Sequence, residues 1–195
     1  FENYFKEFYP NANLTIHTNG IDDDFLNYKF VKKQNNKKYL ILYAGNIGDG
    51  QGLDKIIPKI ASKNPNIKFK LIGDGSTRNL LIENDLFKKL NNIEVINPIS
   101  RRDLIKEYEF ADILLLHLND YEAFQKVLPS KIFEYAATNK PILAGVSGFA
   151  AEFLKREING VEIFSPCNDK EMNEGIYKII NNPKMINRKE FFIKY

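Results

Sequence analysis

The chain has 195 residues, 44% of them hydrophobic and 27% charged, which suits one compact soluble domain with a full core. A net charge of only +3, with 28 basic residues spread out rather than striped, excludes an evident nucleic-acid footprint. The single cysteine, Cys167, excludes an internal disulfide and a cysteine metal cluster and suits a reducing, cytoplasmic setting. No apolar run is long enough to span a bilayer, and no signal peptide is visible.

In chain order, Phe1 to Tyr9 reads as the tail of an amphipathic helix and Leu14 to His17 as a short strand. Asn19-Gly20 then marks a turn before Asp22-Asp-Asp24. Lys32 to Lys38 reads as a solvated basic loop. From Tyr39 a regular alternation sets in. Strands are expected at about 39–45, 68–73, 93–97, 112–118, 141–146 and 161–164. Helices are expected at about 52–63, 76–90, 101–110, 130–139, 148–158 and 168–181. Short apolar runs joined by helices predict an α/β, doubly wound, Rossmann-like parallel sheet of about six strands, with ligands at the carboxyl ends of the strands. Residues 184–195 read as a truncated helix.

Three junctions carry candidate chemistry. Gly45-Asn-Ile-Gly-Asp-Gly-Gln-Gly52 follows the first strand of this sheet, where a phosphate-binding loop belongs, although the glycine spacing fits neither dinucleotide nor Walker patterns. A plain glycine-rich turn is the alternative. Gly73-Asp-Gly75 closes the second strand and Asn97-Pro98-Ile99-Ser100 the third, with Ser100 placed to cap a helix. At Pro129-Ser130-Lys131 a helix start offers N–H groups and a positive charge to a diphosphate. Glu134, one turn further in, offers a carboxylate to two ribose hydroxyls. His117 ends the fourth strand on the ligand-binding rim, and a satisfied, half-buried histidine is its plainer reading. Asp22 to Asp24 reads as solvated acid at a helix start rather than as a metal site.

"LPSKIFEYAATNKPILAG" (Leu128 to Gly145), "YAGNIGDGQGLDKII" (Tyr43 to Ile57) and "FKLIGDGSTRNLL" (Phe69 to Leu81) together resemble the donor-binding half of a retaining GT-B glycosyltransferase of the family-4 type. The resemblance extends from about Thr18 to Pro183. It is nearest to the branch that builds bacterial surface polysaccharides and is similar to N-acetylfucosamine transferases.

The resemblance implies three regions. Residues 1–21 would be a remnant of an N-terminal acceptor-binding domain and the crossing from it, 22–183 the nucleotide-sugar domain, and 184–195 a cut helix. It implies donor-binding roles for Gly45, Asn46, Gly48, Gln51, Gly73, Gly75, Pro98, Ile99, Ser130, Lys131 and Glu134. The donor would be a nucleoside-diphosphate sugar, UDP the expected nucleotide, with no metal or other cofactor required. A glycan or lipid-linked acceptor would reach the site through the other domain, which leaves room for peripheral membrane association of a full-length enzyme. Two departures stand out. Asn46 and Gln51 occupy positions where many members carry diphosphate-binding Arg and Lys, and Lys126 stands where the first glutamate of a Glu-x(7)-Glu pair would be. The alternatives are a UDP-sugar 2-epimerase of similar fold and a non-catalytic nucleotide-binding module.

Overall fold

The computed structural model describes residues 2–15, 17, 19–26, 28, 38–183 and 185–195. Helix α1 spans Glu2–Phe8 and the short α2 spans Asp23–Leu26. The strand expected at 14–17 is not formed by its described residues. Leu14 is exposed, so no apolar face there is worth pairing. Of the expected loop 32–38, only Lys38 is among the described residues.

The alternating region then unfolds as β1 (Tyr39–Ala44), α3 (Leu53–Lys63), β2 (Ile67–Ile72), α4 (Arg78–Glu83), α5 (Asp85–Lys88), β3 (Ile93–Ile96), α6 (Arg101–Phe110) and β4 (Ile113–His117). It continues with α7 (Lys131–Ala137), β5 (Ile142–Gly145), α8 (Gly148–Glu157), β6 (Val161–Phe164), α9 (Asp169–Asn181) and α10 (Lys189–Lys194). Among the described residues the six strands form one parallel sheet in the order β3-β2-β1-β4-β5-β6. This is the Rossmann order, whose switch point lies between β1 and β4.

Helices cover both faces, so the central strands read as continuous apolar runs rather than alternating ones. Leu42 and Ala44 of β1 pack with Tyr108, Phe133 and Phe153 on one face, while Ile41 and Tyr43 pack with Ile56, Ile60 and Met172 on the other. The expected helix 76–90 is two pieces. Asn84 adopts an extended conformation and its side chain accepts from the N–H groups of Leu86 and Phe87, restarting the helix at Asp85.

Strands β1 and β4 pair only at Ile41–Ile113 and Leu42–Leu114. Beyond that point the Ala44 N–H donates to the buried Tyr135 hydroxyl of α7, at 3.3 Å. On the far side of α7, the buried Arg188 donates to the carbonyls of Tyr135, Ala136, Lys140 and Asn159, using every guanidinium nitrogen. Phe191 lies tilted and Tyr195 edge-on against Phe133, so residues 188–195 pack into the same core as the sheet.

Candidate functional site

The loops after β1, β2 and β3 extend the sheet beyond its strand ends. Gly45 donates to the Ile72 carbonyl (2.9 Å), Ile47 to Asp74 (2.8 Å) and Gly73 to Ile96 (3.0 Å). The Thr77 hydroxyl and N–H both reach the Ile47 carbonyl. Such close stacking needs glycine. Gly73 has φ +156°, and a Cβ built on it would lie 1.8 Å from the Gly45 carbonyl oxygen.

These loops and the start of α7 enclose a cleft of about 340 Å³ at the switch point. It is lined by Gly45, Asn46, Gly73, Pro98, Ile99 and Lys131, six of the residues singled out from sequence, together with Ile72, Asp74 and Leu104. Gly48, Gln51, Gly75, Ser130 and Glu134 do not line it. Gln51 instead accepts from the Asn46 amide (2.9 Å) and the Gly48 N–H (3.3 Å), so the two positions expected to face a diphosphate are occupied with each other. Gly75 packs against the backbone of Ile47, and Ser130 is exposed.

The first turn of α7 presents fewer donors than the sequence suggested. Pro129 has no N–H, and those of Ile132 and Phe133 turn back to the carbonyls of Pro129 and Ser130. The charge comes from Lys131, whose ammonium sits 2.8 Å from Glu134 Oε2 and 3.3 Å from the Tyr108 hydroxyl. Tyr108 donates to the same Oε2, at 3.2 Å. Arg101 lies 3.9 Å from Oε1 and also binds Asp22 and Asp24, while its guanidinium lies over the Phe25 ring. Glu134 is thus one turn behind the cleft, within reach of two cations and a phenol, with its side chain 17% exposed.

Sequence reading missed Tyr108 and Arg101. Tyr108 lies on the apolar stripe of α6 with Ile105 and looks like core, which its ring is; only its oxygen reaches the Lys131–Glu134 pair. Arg101 resembles a surface charge at a helix start. Their signal is three-dimensional, since α6 crosses α7 only once the sheet has formed. Lys126 lines an apolar hollow with Tyr4, Phe5 and Phe149 instead of the cleft, and Arg78 donates to the Asn97 side chain.

His117 takes the plainer role. It is fully buried, its Nδ1 bonds to the Gln51 carbonyl (2.6 Å), and its Nε2 accepts from the Cys167 N–H (3.0 Å). Those partners specify the neutral Nδ1–H tautomer, and burial pulls the imidazole pKa down to about 4. Asp22 and Asp24 are ion-paired surface acids, and among the described residues no three His, Cys, Asp or Glu side chains converge as metal ligands. No helix among them is long and apolar enough to cross a membrane.

No curated protein sequence matches the chain. Solved structures do. A glycosyltransferase from Rickettsia africae is 18% identical, with TM-score 0.68 over 92% of this chain and 51% of its own. Anabaena Alr3699/HepE, solved in complex with UDP and glucose, is 18% identical, with TM-score 0.61 over 75% of this chain and 39% of its own. The C-terminal domain of the Francisella tularensis group 1 glycosyl transferase LpcC is 20% identical, with TM-score 0.60 over 85% of this chain and 90% of that domain. The chain thus spans about half or less of the first two proteins. The family model for glycosyl transferases group 1 matches residues 24–194, the whole alternating region and the cleft within it. The chain belongs to the group 1 glycosyltransferase family and has the fold of the C-terminal domain of a GT-B glycosyltransferase.

Proposed function

We propose that this chain is the donor-binding half of a glycosyltransferase and that it grips a nucleoside-diphosphate sugar, with UDP as the nucleotide. The observation that carries this reading is the switch-point cleft, where Lys131 meets two glycine loops and the Pro98–Ile99 turn, with Glu134 directly behind. The base lies against Pro98, Ile99 and Leu104, the ribose diol donates to Glu134, and the diphosphate accepts from Lys131. As the bond to the sugar breaks, negative charge grows on the departing diphosphate, and Lys131 is placed to stabilise it. The acceptor, a glycan or lipid-linked sugar of a surface-polysaccharide pathway, is met by the rest of the enzyme.

Calorimetry with UDP-, GDP- and ADP-sugars tests this reading. The chain is expected to bind the UDP compounds weakly and to transfer nothing alone, because closure of a cleft is what excludes water and positions an acceptor. Tighter binding of GDP- or ADP-sugars would overturn the UDP assignment, and binding of none would overturn the donor site. EDTA is expected to leave the titration unchanged, since the neutralising charge is that of Lys131; restoration by Mg²⁺ of binding lost to EDTA would contradict this.

Two substitutions separate the subsites. Glu134→Ala is expected to weaken UDP and uridine alike by about 1.5–3 kcal/mol, the range for hydrogen bonds to a charged group. Equal affinity in the variant would remove Glu134 from the site. Lys131→Ala is expected to weaken UDP about tenfold or more, and uridine far less, with the UDP loss shrinking as salt rises. Equal losses for both ligands would assign Lys131 to the fold instead of the phosphates.

A further inference from the structure

Tyr108 is fully buried, and its ring is fixed on two sides, stacked on Phe25 at 5.8 Å and edge-on to Tyr135 at 5.5 Å. Phenylalanine would satisfy that packing equally well. The hydroxyl emerges from the apolar stripe of α6 at the one place where α7 presents charge. There it donates to Glu134 Oε2 and accepts from Lys131, both from a ring that cannot swing away. Burial drives the phenol pKa far upward, so it remains a neutral donor throughout the working pH range.

The two oxygens of Glu134 are therefore unequal. Oε2 takes both the Tyr108 hydroxyl and the Lys131 ammonium, while among the described residues Oε1 has only Arg101, at 3.9 Å. Lys131 has a flexible stem and is the group a diphosphate would draw away. Once it leaves, an unsupported carboxylate is free to turn about its own side-chain axis. The Tyr108 hydroxyl does not leave, and it holds Oε2 whether or not Lys131 is engaged elsewhere.

We propose that Tyr108 is a positioning residue: it locks Oε2 of Glu134, so that Oε1 keeps one orientation for the ribose diol when Lys131 changes partner. The inference rests on the donor-site reading above and deepens it. Its consequence is that the ribose grip survives the transfer of Lys131 from carboxylate to phosphate, so both subsites can be filled together. A hydroxyl that merely satisfied itself on the nearest carboxylate would have no such effect on ligand binding.

The test is Tyr108→Phe in this chain, read by NMR titration with uridine and UDP, by thermal melting, and by the carboxyl-carbon resonance of Glu134 without ligand. The variant is expected to fold and to melt about 3–6 °C below the wild type, the shift for losing one hydrogen bond to a charged group in a domain of this size. UDP affinity is expected to fall about three- to tenfold and uridine affinity far less, because with uridine Lys131 still holds Oε2. The UDP loss persists as salt rises, unlike that in Lys131→Ala, and the Glu134 resonance moves in the free protein. A variant with native melting and unchanged affinities overturns the inference and leaves the donor site standing. So does a variant that fails to fold, since the hydroxyl would then be structural, or one in which uridine is weakened as much as UDP. If the wild type binds neither uridine nor UDP, the donor site itself is wrong and the inference falls with it.

Discussion

Gly73→Ala is expected to destabilise the fold by on the order of 3–5 kcal/mol, the far tail of single substitutions. Two penalties coincide there. Its φ of +156° is one that side-chain-bearing residues rarely adopt, and the added Cβ would sit 1.8 Å from the Gly45 carbonyl oxygen. Because that oxygen belongs to the backbone, no rotamer change relieves the clash. The neighbouring loop must move, and with it go the Gly45–Ile72 and Ile47–Asp74 hydrogen bonds that seat it on β2. Gly50→Ala is the control. Its Cβ meets only the ring of Phe124, at 3.0 Å, a side chain that can yield. Urea denaturation of both variants measures the contrast. Equal stabilities would mean that the loops stack more loosely than their hydrogen bonds imply.

Acid is expected to cost the protein about 3 kcal/mol through His117 alone. The folded state holds its pKa near 4, chiefly by desolvation, against an ordinary value of 6.5. About 2.5 units at 1.36 kcal/mol each give that figure as an order of magnitude. The sign follows from which form the fold prefers. The neutral ring is favoured, so the contribution is fully present above pH 6.5 and is lost as pH falls from 6.5 towards 4. Protonation would place a hydrogen on Nε2, which accepts from the Cys167 N–H, and so break that bond. Denaturation at pH 7, 5.5 and 4 should show a steeper decline in the wild type than in His117→Gln, whose amide does not titrate. Parallel declines would show that carboxylates elsewhere account for the acid sensitivity.

The sheet was readable because its signal is local. Buried parallel strands need apolar runs about five residues long, and those around Leu42, Leu71, Leu115 and Leu143 can be little else between amphipathic helices. Where a polar side chain competes for backbone donors the reading slipped, as at Asn84, which breaks one expected helix into two. The cleft was half readable. Gly45, Gly73, Pro98 and Lys131 stand at strand-to-helix junctions, where topology alone puts a ligand. The partners of Glu134 were not, because Tyr108 lies 26 residues upstream and nothing in its helical stripe distinguishes a core ring from a core ring with a working oxygen. The pairing of Asn46 with Gln51 was also invisible, since each looked like an isolated substitution of a charged residue until the loop's fold brought their amides together.

Arg188 ties the carbonyl end of α7 to residues far along the chain, and a guanidinium with every donor engaged does not release one partner at a time. Its bonds join Tyr135 and Ala136 to Lys140 and Asn159, and its own segment continues into α10, where Phe191 and Tyr195 close on Phe133. Opening any of these surfaces would leave several carbonyls and a buried cation unmet together, so the segments are expected to exchange their amide protons as one cooperative unit rather than to fray separately. The helix bearing Lys131 and Glu134 thereby shares its local stability with the last residues of the chain, and loosening the tail by mutation or proteolysis amounts to loosening the helix from behind.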